Sequence, residues 1–175
     1  MEDRMKLFKH DYYFGALLSL LVKTKFMPTT IEEDESNQVY QITTHQDYHF
    51  YAKYVSNAFG NNKDVLTWQF QFSEAEVKRI QALYPNDYYL FAFICGRKDL
   101  EDSEVAFLTI EDLQQCLGVD CQTQDRRIAV KVGMSSKFFN ICGTGLYRHE
   151  RSLVIKRDAR ARLEELKANG LSEME

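Results

Sequence analysis

Leu66, Trp68, Phe70 and Phe72 alternate with Thr67, Gln69 and Gln71, the strictest period of two in the chain. Such alternation predicts a strand with one packed face and one wet or functional face. Upstream, Val39–Thr44 and residues 48–56 flank the polar His45-Gln46-Asp47, which predicts an antiparallel hairpin. Residues 88–95 form a continuous apolar run of strand length, expected as a central strand covered on both faces. Residues 105–108, 127–132 and 137–142 predict three more strands, and Leu153–Lys156 is a candidate last one.

Helices are marked by wider spacing and by their ends. Asp11 is placed to cap a helix over residues 12–25, whose apolar positions from Phe14 to Val22 cover most of its circumference and predict burial on more than one side. Met27-Pro28 ends it, because proline disfavours helical geometry in the preceding residue. The acidic run 32–35 then reads as a solvated loop. Ser73 with Glu76 and Thr109 with Asp112 have capping-box spacing, and Gly118 stands at the usual stop position after the second. Asp158 is placed to cap a final helix ending near Asn169-Gly170, with a thin apolar stripe of Ala159, Leu163 and Leu166. The order α-βββ-α-ββ-α-ββ-α predicts an α+β fold with a mostly antiparallel sheet of about six to eight strands. One domain over 1–175 is expected, with residues 1–10 and 170–175 mobile.

Charge changes the picture more than composition does. The chain is 45% apolar and carries ten Tyr and twelve Phe, as a folded domain should. Its formal net charge is -4, yet residues 126–162 hold ten Lys and Arg against only Glu150 and Asp158. That segregation marks a basic C-terminal face that can meet an anion, or the acidic remainder of the same protein. Cys95, Cys116, Cys121 and Cys142 lack C-x-x-C spacing and are read as reduced thiols of a cytoplasmic protein. The apolar run 14–22 falls short of the roughly 20 residues that cross a bilayer, so no membrane role is expected.

Candidate chemistry is sparse. No metal, nucleotide or nucleophile signature emerges, so no cofactor and no catalytic residue are assigned. Gly143-Thr144-Gly145 lacks the Gly-Lys-Ser/Thr ending of a phosphate loop, and its glycines are expected to serve a turn with positive φ. The α-β-β-β-α order over residues 11–95 resembles the PD-(D/E)xK nuclease core, with Asp47 and the triplet Tyr51-Ala52-Lys53 in the matching register. The resemblance implies a divalent metal held by carboxylates, but Tyr51 stands where one carboxylate is required. If the hairpin pairs with the Trp68 strand, His49, Tyr51 and Lys53 would share an outer face with Thr67, Gln69 and Gln71, suited to a phosphate backbone and a stacked base. The leading expectation is an interaction domain. Its contacts would be Lys131, Arg148, Arg151, Arg157 and Arg160, facing an acidic protein surface or a second copy of the chain. Nucleic acid bound by the same stretch together with Tyr51 and Lys53 is the alternative partner, and a divergent nuclease is the third reading.

Overall fold

The structure is a computed structural model that describes residues 4–33, 39–59, 64–83, 86–118, 126–145 and 152–172. The described chain runs α1 (Lys9–Lys23), β1 (Pro28–Glu33), β2 (Val39–Thr44), β3 (His49–Val55), β4 (Val65–Phe72), α2 (Glu74–Leu83), β5 (Tyr89–Cys95), β6 (Glu104–Thr109), α3 (Ile110–Leu117), β7 (Arg126–Gly133), β8 (Phe138–Gly143), β9 (Leu153–Lys156) and α4 (Ala159–Ser172). The fold is α+β as expected, and the last candidate strand is present. Two departures lie at the start. Residues 28–33 pair with β2 as an edge strand, so Glu32 and Glu33 belong to a strand and not to a loop. Helix α1 begins at Lys9, and the Asp11 carboxylate accepts the Phe8 N–H at 2.7 Å from within its first turn. The helices α1 and α4 extend to Lys9 and Ser172, within the spans 1–10 and 170–175.

The strands divide into two sheets rather than one. The first has the order β1-β2-β3-β5-β6 and is mixed, because β3 and β5 run parallel; the second, β4-β7-β8-β9, is antiparallel throughout. Trp68, Phe70 and Phe72 of β4 are buried, as the alternation requires, and they turn toward the first sheet. The Phe70 and Phe93 rings meet with centroids 4.8 Å apart, and the Trp68 indole N–H donates to the Gly96 carbonyl at 2.8 Å. An unpaired indole N–H in a core would be costly, so this bond helps fix the position of β4 over the end of β5.

Two cores result. One lies between the sheets and includes the apolar sides of α2 and α3. The other packs α1 and α4 on the opposite face of the first sheet, around Phe14, Phe50, Ala92, Phe107 and Leu163. Strand β5 is buried on both faces, as its apolar run predicts. Helix α1 buries a single stripe, Tyr13, Phe14, Leu17 and Leu21, and leaves Tyr12, Ala16, Ser19 and Val22 exposed. Burial on several sides is thus corrected to one side, because nothing described packs over the helix from outside. The thin stripe of α4 is supplemented by charge. Arg162, 9% exposed, pairs with Asp112 at 2.9 Å and with Glu165, and donates to the Phe107 carbonyl.

The capping signals of α3 and α4 hold in detail. Thr109 and Asp112 exchange both bonds at 3.0 Å, Gly118 closes α3 at φ 74°, and Asp158 accepts the Ala161 N–H. At α2 half of the box forms: Ser73 Oγ accepts the Glu76 N–H, while the Glu76 carboxylate reaches Lys53. Gly143 and Gly145 do not have positive φ. They are small because the last turn of α3 comes close: the Gly145 N–H donates to the Cys116 carbonyl at 2.9 Å, and a Cβ on Gly143 would strike that same peptide.

Candidate functional site

Alternation in the second sheet leaves an outer face over which no described element lies. Register assigns its rows. Thr67, Lys131, Asn140 and Val154 lie side by side across β4, β7, β8 and β9. The next row is Gln69, Ala129 and Cys142, and beyond it Gln71 stands beside Arg127; at the other end Phe138 stands beside Lys156. The inner partners of these positions, Trp68, Val130, Ile141 and Ile155, fill the core, so the parity of each strand is determined by burial.

Arg127, Lys131 and Lys156 are exposed, and their side chains make no hydrogen bond or ion pair among the described residues. None of the strand positions on this face is a carboxylate. Amides and a hydroxyl (Thr67, Gln69, Gln71, Asn140) separate the cations, and Phe138 at 46% and Val154 at 55% exposure add an apolar end. Chemically, the face offers three point charges, neutral donors and acceptors, and one greasy corner. Phe59, 67% exposed, bridges to Thr67 and adds an aromatic ring at the β4 edge of the central row.

The basic stretch therefore splits. Lys131 lies on the open face, whereas Arg160 is exposed on α4 and is not part of that sheet. Arg157 is structural: its guanidinium forks onto Glu104, with Nη2 3.0 Å from Oε2, and donates to the carbonyls of Gly133 and Ser136. The Glu104 bond pushes the Arg157 pKa above its ordinary value. Arg126 donates to the Gly118 carbonyl, and Arg162 is buried between α4 and α3. Arg148, Arg151 and Cys121 lie outside the described residues.

Tyr51 and Lys53 share a face with His49, as read, but it is the inner face of the first sheet. β3 lies between β2 and β5, whereas β4 pairs with β7, so the expected joint surface with Thr67, Gln69 and Gln71 does not form. Tyr51 is 3% exposed and Lys53 7%. The Lys53 ammonium sits 2.8 Å from Glu76, donates to the Gln71 carbonyl and lies 4.3 Å from the centre of the Phe72 ring. A buried lysine held in this way joins β3 to β4 and α2. Asp47 occupies the β2–β3 turn at φ 61°, and Lys53 is about 13 Å further along β3 than His49 at roughly 3.3 Å per residue. Among the described residues no three His, Cys, Asp or Glu side chains gather as a metal site. Two buried thiols are held in the protonated form: burial pushes Cys95 up, and pushes Cys116 up to about 12.

Sequence reasoning reached Lys131 but missed Lys156, Asn140 and Phe138 as its neighbours. The alternation in β4 and the even, four-residue spacing of Arg127 and Lys131 both signalled a wet face; no local signal says that β4 and β7 are paired. Comparison with protein-family models, curated proteins and solved structures finds no match to this chain.

Proposed function

We propose that the protein is an interaction module that docks an acidic protein surface on the open face of its second sheet. One observation carries this reading: Arg127, Lys131 and Lys156 stand on one uncovered sheet face without a carboxylate among them. Carboxylates of the partner would pair with these cations, its backbone would meet Thr67, Gln69 and Asn140, and an apolar side chain would rest on Phe138 and Val154. Interfaces of this composition gain speed and register from charge and affinity from the apolar contact. A protein partner is favoured over nucleic acid because binding of single strands to sheets relies on adjacent exposed aromatic rings under successive bases, and among the described residues this face carries Phe59 at one edge and Phe138 toward the other, with no ring between them.

The test is a titration of the full chain against a labelled glutamate-rich peptide bearing leucines, and against a single-stranded oligonucleotide of equal charge. Peptide binding that is weakened about tenfold or more by Lys131→Glu supports the reading, at the scale of one close charge pair. Absence of peptide binding at low salt, or tighter binding of the oligonucleotide, overturns it. Sedimentation then separates the two sources of acid: dimerisation lost in Lys131→Glu assigns the partner surface to a second copy, and a monomer at every concentration assigns it to another protein.

A further inference from the structure

On its inner face, the first sheet presents a cleft that the core does not fill. Gln41, His49, Tyr51 and Tyr89 come from β2, β3 and β5, where Gln41 pairs with Tyr51 and His49 with both Thr43 and Tyr89. Helix α2 adds Arg79 and Leu83, and with Phe50 these residues enclose about 60 Å³. We propose that this cleft binds a small oxyanion, the phosphate or carboxylate end group of a ligand.

The charges on the lining point one way. Arg79 is exposed and makes no hydrogen bond or ion pair among the described residues. Its helix has carboxylates within reach, but Glu76 is held by Lys53 and Glu74 by Lys78. Among the described residues, none that lines the cleft is acidic. A guanidinium with no counter-ion among the described residues, beside a largely apolar recess whose polar groups include Gln41 and His49, can offer its fork to an oxyanion, the geometry that carboxylates and phosphates fit.

The second nitrogen group is already oriented. His49 Nδ1 lies 3.1 Å from Thr43 Oγ1, and the imidazole stacks on Tyr89 with ring centroids 4.7 Å apart and planes 18° apart. Two constraints on one ring leave little freedom, so its other nitrogen meets a ligand without further ordering cost. Gln41 adds an amide with no side-chain partner among the described residues. The size is also informative. At about 10–15 Å³ for each water-sized occupant, the cleft holds roughly four of them, enough for a phosphate or a carboxylate but not for a whole nucleotide. The body of a larger ligand would leave along Leu83 and Tyr89.

The experiment is an NMR titration of the full chain with sodium phosphate and, separately, sodium acetate, each against sodium chloride at matched ionic strength. Saturable shifts confined to Gln41, His49, Arg79 and Tyr89 are expected with at least one of the two anions, and the one that saturates identifies the end group. Arg79→Ala should weaken that binding about tenfold or more, the scale of one charge-assisted hydrogen bond, with the remaining amide spectrum unchanged because Arg79 is exposed. Lys131→Ala, on the far sheet, should leave it as it was. Shifts that sodium chloride reproduces, shifts that never saturate, or unchanged binding in a folded Arg79→Ala protein would each overturn the proposal.

Discussion

Individual side chains in this protein are set apart by how deeply they lie. Cys116 has its pKa pushed up to about 12, by burial first and by Asp112 second, and burial first and Glu33 second push Tyr40 to about the same value. A thiol titrates near 9 and a phenol near 10 when unfolded, so between those values and about 12 the unfolded chain releases protons that the folded one keeps. Stability is therefore unaffected below pH 9 and falls as pH rises above it. Urea midpoints at pH 8 and pH 10.5 should show the drop, and Tyr40→Phe should make it smaller. The same burial predicts that, in the native protein at pH 8, a thiol reagent modifies the half-buried Cys142 before Cys95 or Cys116, as peptide mapping would show. Gly143 illustrates a limit of local reading. Its spacing announced a turn, but its smallness serves the approach of the Cys116 peptide, and Gly143→Ala should cost about 1–3 kcal/mol in urea denaturation by overpacking.

Between elements, the joints are made by charged groups that a linear reading assigned to solvent or to ligand. Lys53 ties β3 to α2 through Glu76, and its burial makes a lone partner expensive. Glu76→Ala should destabilise by about 2 kcal/mol, less than a fully buried pair because water reaches the carboxylate. The double variant Lys53→Met, Glu76→Leu should recover to within about 1 kcal/mol of the parent, since removing both charges removes the desolvation cost. Equal losses in the single and double variants would refute the joint. Capping boxes, the hairpin and the β4 alternation were legible because each is written within a few residues. The pairing of β4 with β7, and the edge strand β1, were not, because partners distant in the chain leave no mark in either segment.

Across the domain, the basic stretch separates into scaffold and surface. Arg157 bonds Glu104 on β6 and the carbonyls of the β7–β8 turn, so Arg157→Ala should lower stability by about 1–2 kcal/mol while the folded fraction still binds the acidic peptide. Glutamate at Arg127, Lys131 or Lys156 should do the reverse: binding lost, and stability within about 0.5 kcal/mol of the parent. A salt titration checks the same division, because exposed charges are screened over roughly 10 Å at 0.1 M. The secondary structure apart from β1, the capped ends of α3 and α4, the doubly buried β5 and the excess of cations in the last third were present in the order of residues, since periodicity, capping and composition are local or summed properties. Which cations converge, which are consumed as struts, and that Tyr51 and Lys53 face inward depended on how the strands divide between two sheets. That division follows from burying Phe70 and Phe72 against Phe93, with Trp68 bonded to the Gly96 carbonyl, contacts between residues far apart in the chain.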